Sequence, residues 1–199
     1  MKIGSNVRIK IGNGVSLGKS NIIVNKGGSI NIAEGCSLLS ARIFVNQDSE
    51  LIIGKKSTLQ DGRIRTGRNS RIIVGEDCMF SWATTLLAHD GHMIYDVAAE
   101  KCLNNTKGER NESIVIGNHV WIGGETVILP NTRIGSGTIC GYRSLVKGRY
   151  PNNCVIAGSP ARVVKKDIAW TRTNISEDFS EYWNLKDEYR RVTETNGLS

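Results

Sequence analysis

The chain has 199 residues, with 26 Lys and Arg against 19 Asp and Glu and a net charge of +7. This length predicts a single domain with a sizeable core, with or without an appendage. The sequence has no run of 18 apolar residues and no apolar segment at its start, which argues against a membrane-spanning helix and leads us to expect a cytoplasmic protein.

The charge is uneven along the chain. Residues 167–199 hold four basic and seven acidic side chains, so residues 1–166 carry +10. A basic body favours an anionic ligand, such as a phosphate-bearing cofactor or an acidic glycan. The Lys and Arg residues are scattered rather than clustered with aromatic residues, which argues against a nucleic-acid partner.

Apolar residues recur every 21 positions in the N-terminal part of the chain. The three columns are Ile9, Ile30, Leu51 and Ile72; Ile11, Ile32, Ile53 and Val74; and Leu17, Leu38, Leu59 and Phe80. Further along, the spacing shortens to every sixth position, in the column Ile116, Ile122, Ile128, Ile134, Cys140 and Val146. A small or β-branched residue stands four positions beyond each member except the last: Val120, Thr126, Thr132, Thr138 and Ser144.

This spacing distinguishes between folds. An α-helix cannot keep every sixth residue on one face, whereas short β-segments that turn a corner at each repeat can. Three such segments make a triangular coil of about 18 residues, and the longer period of the N-terminal part adds a few residues of turn to each coil. The sequence therefore predicts an all-β fold, a parallel β-solenoid over residues 1–166, with coils stacked about 4.8 Å apart.

The five cysteines show no CxxC spacing. Cys36, Cys78 and Cys140 fall at repeat positions that point inward. In a reducing compartment this predicts buried free thiols rather than disulfides or a zinc site.

The repeat is interrupted once. Val74 and Ile116 are equivalent but lie twice the longer period apart, which leaves about 24 residues more than one coil of the shorter period requires. The surplus falls within about 89–113, much of which is polar, and predicts a loop extruded from a corner of the coil. Such loops do not pack in the core of the solenoid, and they often contain catalytic or binding residues.

The coil pattern resembles that of the hexapeptide-repeat acyltransferases, whose β-helices wind left-handed. The loop, the following sequence IVIGNHVWIGGETVILPNTRIGSGTICG and the exit VIAGSPARVVK look like the O-acetyltransferases of capsular and other cell-surface polysaccharides. The resemblance implies a homotrimer that transfers acetyl from acetyl-CoA to a sugar hydroxyl, with the active site between protomers. It implies no metal.

Residues 90–96 match, position for position, the Asp-x-His-x-Ile-x-Asp segment that carries the catalytic histidine in this group. The match implies that His92 is the general base, and a neutral imidazole is well suited to deprotonate a hydroxyl near pH 7. A carboxylate could orient the ring; Asp90 is our first candidate, and Asp96 remains open. By resemblance, Trp121 lies in the active site, and its repeat position predicts that it points outward.

Resemblance to the galactoside enzymes implies cofactor contacts at Gly124, Tyr142, Lys147, Arg162 and Lys165. Gly124 and Tyr142 are separated by one period of the shorter coil, which predicts that they stack along a groove parallel to the axis. The chain departs from the family pattern at 141–149, where two small residues are replaced by Tyr142 and Arg143 and the lysine is shifted by one position. Contacts with the cofactor could differ there.

Several arginines and a tryptophan fit a platform for an acidic sugar: Arg63, Arg65, Arg68, Arg71 and Trp82. We expect Trp82 to be exposed close to the loop. The extension, residues 167–199, predicts a short helix over 174–191 that packs on the coils of its own chain.

Other functions remain open. One is an acetyltransferase acting on an antibiotic or a free sugar. Another is the zinc-dependent carbonic anhydrase built on the same coil, which would need His89, His92 and His119 around a metal, although we expect His119 to line a surface. His89 is also a rival to His92 as the base. A non-enzymatic solenoid that binds glycan or ice is the structural alternative.

Overall fold

The backbone pairs strand upon strand in parallel ladders. The computed structural model describes residues 1–104 and 111–172, with the backbone alone for 111–112. Within these residues the strands are, in chain order, β1 (Lys2–Ile3), β2 (Arg8–Ile11), β3 (Asn21–Val24), β4 (Ser29–Ile32), β5 (Ser37–Val45), β6 (Glu50–Ile53), β7 (Thr58–Arg65), β8 (Ser70–Val74), β9 (Met79–Phe80), β10 (Thr84–Leu87), β11 (Tyr95–Asp96), β12 (Lys101–Cys102), β13 (Asn111–Ile116), β14 (Trp121–Ile122), β15 (Val127–Ile128), β16 (Thr132–Ile134), β17 (Ile139–Cys140), β18 (Leu145–Val146), β19 (Arg149–Tyr150), β20 (Cys154–Gly158) and β21 (Ala161–Lys166).

The ladders form the three faces of a triangular solenoid, which the chain visits in a fixed order. Face 1 contains β2, β4, β6, β8, β13, β16 and β19. Face 2 contains the first residues of β5 and β7, followed by β9, β14, β17 and β20. Face 3 contains β1, β3, the last residues of β5 and β7, β10, β15 and β18. The predicted parallel β-solenoid is confirmed.

The strand register reproduces the sequence period. On face 1, Leu51 pairs with Ile72, one longer period further along the chain. Ile72 pairs with Ile114, on the far side of the interruption, and Ile114 then pairs with Thr132, one shorter period later. The repeat columns are therefore stacks of residues on neighbouring coils, as the spacing predicted.

The inward columns form one continuous apolar core. All six members of the column from Ile116 to Val146 and the five small residues between them are buried. The columns of the longer period are buried from the second coil onward, but Ile11, on the first coil, is 40% exposed. The first coil has a neighbouring coil on one side only, so its apolar side chains are incompletely covered.

All five cysteines are free, and the three at predicted inward positions are buried. Burial raises the pKa of the Cys78 thiol to about 12 and also raises that of Cys140. These thiols stay neutral and pack as small apolar groups.

The extruded loop leaves the coil after β10, at the corner between face 3 and face 1. Its described part contains the antiparallel hairpin of β11 and β12, and the chain returns to face 1 at β13. Within the described residues this matches the predicted interruption.

After the last coil, β20 turns back into β21, which pairs with it antiparallel and closes that end of face 2. The helix expected over 174–191 lies outside the described residues, and the boundary at 166/167 stays a prediction. In the described part of the chain, no helix is long and apolar enough to cross a membrane.

Candidate active site

The loop segment around His92 is held by one side chain, Asn104. Its amide nitrogen donates to the carboxylate of Asp90 over 3.0 Å and to the carbonyl of His92 over 2.8 Å. Its amide oxygen accepts from the backbone N–H of Ile94 at 2.9 Å. Asn104 therefore holds the chain on both sides of His92 against the segment that follows β12.

The His92 ring is exposed and, among the described residues, makes no hydrogen bond or ion pair. Asp90 is engaged by Asn104, while Asp96 accepts from the backbone N–H of Ala99 at 2.9 Å. Neither carboxylate touches the ring in the single chain. Which of them orients His92 stays a prediction.

His89 differs from His92 in its surroundings. It is partly buried at the root of the loop, and its Nε2 is buried without a hydrogen-bond partner in the described residues. Burial and the nearby Arg65 guanidinium lower the pKa of His89 more than Asp90 raises it. His89 is therefore a neutral imidazole at neutral pH.

On face 2, one outward column changes character along the solenoid. Parallel pairing aligns its members in the order Ser16, Ser37, Thr58, Met79, Trp121, Ile139 and Val155. The first three are small and polar, and the last four are large and apolar. The change occurs at the coil from which the loop emerges, so the second half of face 2 presents an apolar floor to solvent.

Trp121, on this floor, is 38% exposed, as its outward repeat position predicted. Its ring lies 5.8 Å from that of Trp170 at an angle of 46°. Trp170 is only 8% exposed and stacks nearly flat on His119, with ring centroids 4.0 Å apart. An aromatic wall thus stands beside Trp121 at the corner between faces 1 and 2.

Trp170 belongs to a segment that we call the strap, residues 167–172, which runs back across this corner. Its anchors begin where the backbone N–H of Ile168 donates to the carbonyl of Asn153 at 3.0 Å. The Trp170 indole N–H donates to the carbonyl of His119 at 3.0 Å. Arg172 then reaches the carboxylate of Asp77 at 2.6 Å and the carbonyl of Cys78 at 2.8 Å. The strap therefore ties together coils that are far apart in sequence.

His119 packs beneath the strap, and the expectation that it lines a surface was wrong. The residue is 5% exposed; its Nδ1 lies 2.6 Å from the Asp77 carboxylate and its Nε2 lies 2.9 Å from the carbonyl of Trp170. The strap covers His119 and excludes it from solvent. The coil pattern does not predict this contact. Both ring nitrogens are engaged, so His119 cannot join His89 and His92 around a zinc ion, and the described residues contain no group of three potential metal ligands.

Asp77 binds both His119 and the strap residue Arg172. Partial burial would raise the pKa of its carboxyl group, but hydrogen bonds from His119 and Arg172 outweigh this and hold the pKa below its usual value. Asp77 therefore stays ionised at neutral pH, paired with Arg172.

The opposite edge of the apolar floor, at the corner between faces 2 and 3, is a ridge of aromatic residues. Trp82 and Tyr142 are 45% and 54% exposed, and their ring centroids lie 5.7 Å apart. Gly124 lies between them on the intervening coil, and a Cβ there would lie 3.0 Å from the Trp82 ring. The predicted stacking of Gly124 and Tyr142 is confirmed by the hydrogen bond from the N–H of Arg143 to the carbonyl of Gly124, 2.9 Å.

The replaced residues of this ridge fold onto the neighbouring coil. The Tyr142 hydroxyl donates to one carboxylate oxygen of Glu125 at 2.7 Å, and Arg143 Nε donates to the other at 2.9 Å. The larger side chains thus extend the ridge outward rather than fill the floor. Trp82 is exposed as expected, but strand β10 separates it from the loop.

The candidate cations fall in two places. Arg162 and Lys165 are exposed on β21, where they pair with Ala157 and Val155 at the closed end of face 2. Lys147 is exposed at the corner between faces 3 and 1, the same corner from which the loop emerges. A single chain therefore brings Gly124, Tyr142, Trp121, Arg162 and Lys165 to face 2, but leaves His92, Asp90 and Lys147 at another corner.

Two features of the site were missed from the sequence. The strap contacts of Trp170 and Arg172 join residues up to 116 positions apart, and no local pattern indicates them. The apolar floor could have been found, because Met79, Trp121, Ile139 and Val155 each precede an inward residue and so must face outward.

No protein-family profile matches the chain. Among curated proteins, polysialic acid O-acetyltransferase of Escherichia coli O1:K1 is 31% identical over 118 residues, which are 59% of this chain and 37% of that protein. The putative lipopolysaccharide biosynthesis O-acetyl transferase WbbJ of Escherichia coli K12 is 46% identical over 56 residues, 28% of this chain and 29% of that protein. A chloramphenicol acetyltransferase of Morganella morganii is 38% identical over 76 residues, 38% and 36% of the two chains. The matches thus span about a third of the length of these relatives.

Solved structures match over nearly the whole chain. The polySia-specific acetyltransferase NeuO has a TM-score of 0.73 and 24% identity, covering 96% of this chain and 97% of its own. The polysialic acid O-acetyltransferase OatWY has a TM-score of 0.57 and 22% identity, covering 94% and 99%. At these identities the likeness establishes the fold. The chain has the left-handed parallel β-helix of the hexapeptide-repeat acetyltransferases, the group that its sequence resembles.

Proposed function

We propose that the protein is an acetyl-CoA-dependent O-acetyltransferase that modifies a hydroxyl group of a sugar in a cell-surface polysaccharide or its precursor. The observation that carries the proposal is the apolar floor of face 2, bounded by Trp170 on one side and by the Trp82–Tyr142 ridge on the other. Such a groove suits the long, narrow pantetheine arm of coenzyme A. The names of the relatives in Escherichia coli agree with this reaction and with a polysaccharide acceptor.

In this proposal the cofactor lies along the solenoid axis. Its thioester lies at Trp121, the arm passes over Ile139 and Val155 beside Gly124 and Tyr142, and its phosphates meet Arg162 and Lys165. A guanidinium and an ammonium group at the closed end of the groove are the donors that phosphate requires. No metal takes part.

The reaction is a direct transfer. His92 takes the proton of the sugar hydroxyl as its oxygen attacks the thioester carbonyl. The tetrahedral intermediate collapses to a sugar acetate ester, and the imidazolium returns the proton to the departing thiolate of coenzyme A. Trp121 positions the reacting groups. A carboxylate, Asp90 as the first candidate or Asp96, orients the His92 ring.

The groove on face 2 and the corner that carries His92 lie apart on one chain, and this separation supports a trimer. His92 and Lys147 share the corner between faces 3 and 1, which does not border face 2 of the same chain. A neighbouring protomer can present this corner to the groove, as in a cyclic trimer whose sites lie between subunits. We therefore propose that each active site combines the groove of one chain with His92 and Lys147 of the next.

A second candidate is an acetyltransferase acting on a small molecule such as an antibiotic. The match to chloramphenicol acetyltransferase favours it, and the same groove and base would serve. Only the acceptor differs, so a panel of acceptors distinguishes the two.

To test the proposal, the protein is incubated with acetyl-CoA and, in separate reactions, with capsular oligosaccharides, free sugars or chloramphenicol. Release of the coenzyme A thiol and the mass of the acceptor are measured in each reaction. We expect an acetylated oligosaccharide, and a loss of kcat of about 100-fold or more in His92→Ala. His89→Ala is the matched control and should retain most activity. Thiol release that His92→Ala leaves unchanged would contradict the proposed base, and acetylation of chloramphenicol alone would favour the second candidate.

A further inference from the structure

A strip of exposed arginines lies on face 3, immediately next to the coil that bears the loop. Arg42 on β5 is the register partner of Arg63 on the neighbouring strand β7, and both side chains are exposed. Arg65 follows on the same outward face of β7, with its guanidinium 5.0 Å from the centre of the Phe44 ring. We call these three residues the arginine strip.

The arginine strip has no acidic partner among the residues that the structure describes. Within the described ranges, 1–104 and 111–172, none of the three guanidinium groups forms a salt bridge. Like charges directly opposite each other on neighbouring strands are destabilising. Face 1 avoids this cost, because Arg71 pairs there with Glu50 at 2.8 Å. An unpaired ladder of guanidinium groups is a feature that an anionic ligand would stabilise.

The strip leads directly to the loop. Arg63 and Arg65 pair with Thr85 and Leu87 of β10, the last strand before the loop. The backbone N–H of Ala88 donates to the carbonyl of Arg65 at 2.9 Å. The Arg65 guanidinium is close enough to His89 to affect its titration. A chain lying on the strip would therefore point towards the segment that carries His92.

We propose that the arginine strip binds an acidic polysaccharide through its carboxylate groups and guides it to the loop. This inference rests on the proposed acetyltransferase function and specifies its acceptor as a carboxylated glycan. Neighbouring strands set Arg42 and Arg63 about 4.8 Å apart, and Arg65 lies about 7 Å further along the strand. That pattern suits charges repeated along a polymer better than a single small anion. Guanidinium groups also bind carboxylates in a bidentate manner.

The first experiment measures binding without chemistry. Fluorescently labelled oligosialic acid and oligogalacturonate are titrated with the full-length protein, each beside its carboxyl-reduced form. We expect the native forms to bind more tightly, with an affinity that falls as salt rises. The double variant R42Q/R63Q should bind about fivefold or more weakly. Arg8→Gln, which removes an exposed arginine from face 1, should bind as the wild type does.

The second experiment measures transfer to native and carboxyl-reduced oligosaccharides. We expect R42Q/R63Q to raise KM for the carboxylated acceptor, with KM for acetyl-CoA and the trimer mass unchanged. Equal binding of native and reduced glycans would overturn the inference. So would a change of oligomeric state in R42Q/R63Q without a selective rise in acceptor KM, because the strip would then be a subunit contact. Carboxylate-dependent binding without any acetyl transfer would support the strip and contradict the proposed activity instead.

Discussion

Trp82 and Tyr142 meet over Gly124, with ring centroids 5.7 Å apart, although each of the three residues lies on a different coil. The contact exists because Gly124 has no side chain; a Cβ there would lie 3.0 Å from Cε2 and 3.2 Å from Nε1 of Trp82. The two rings form the edge of the groove in which we propose that the pantetheine arm lies.

Gly124→Val should therefore disturb the ridge more than the fold. The added side chain meets an exposed indole that can swing away, so we expect a melting temperature within a few degrees of the wild type. KM for acetyl-CoA should rise about tenfold, because the displaced ring narrows the groove. Trp82→Ala combined with Gly124→Val should recover part of the loss. An unchanged KM in Gly124→Val would show that the cofactor binds elsewhere.

Trp170 should act on activity through Trp121. Trp170→Phe keeps the flat stacking on His119 but loses the hydrogen bond to the His119 carbonyl, so we expect a modest loss of stability. Trp170→Ala should cost about 3 kcal/mol of unfolding free energy, as is usual for a buried tryptophan. Its kcat at a temperature well below melting should fall further than that of Trp170→Phe, with KM for the acceptor little changed. Equal kcat values in the two variants would restrict Trp170 to a structural role.

The strap should make stability depend on pH through Asp77. Its pKa is lowered in the folded chain, so the carboxylate contributes stability above its unfolded pKa of about 4. That contribution is lost as the pH falls through the folded value. As the pH falls from 5 to 3, the melting temperature of the wild type, measured by circular dichroism, should fall further than that of Asp77→Asn. Asp48→Asn, at an exposed corner, should behave like the wild type, and a wild-type decline no steeper than that of Asp77→Asn would refute the assignment.

Asn104 should affect His92 without affecting the coils. Asn104→Ala removes three hydrogen bonds that hold residues 90–94, so we expect kcat to fall about tenfold while the melting temperature stays unchanged. Lys101→Ala, an exposed change on the same hairpin, is the control. Full activity in Asn104→Ala would mean that a neighbouring subunit, rather than the hairpin, orders the loop.

Mixed trimers test whether the site is shared. His92→Ala inactivates the loop, and a groove variant such as Gly124→Trp inactivates the groove. Each homotrimer should be inactive, but co-expression in equal amounts should restore about a quarter of wild-type activity, because random assembly pairs an intact loop with an intact groove at that frequency. Activity that stays absent in purified mixed trimers would place both halves of the site in one chain.

The apolar columns, the coil length and the interruption could all be read from the sequence. They are local properties: each inward residue packs on the equivalent residue one coil away, so a constant spacing records the packing directly. The same periodicity indicated that Trp121 faces outward and that Gly124 and Tyr142 stack. The terminal coil was less well predicted, since Ile11 obeys the spacing but has neighbours on one side only.

Only the tertiary structure decided which corner carries which chemistry. His119 obeys the coil pattern of an exposed corner, yet the strap buries it through contacts with Asp77 and Trp170, which lie far from it in the chain. The Trp82–Tyr142 contact and the separation of His92 from the groove likewise depend on how the coils wind in three dimensions. A repeat specifies which residues face inward, because burial is periodic, but contacts between outward side chains follow no period and exist only once the coils are stacked.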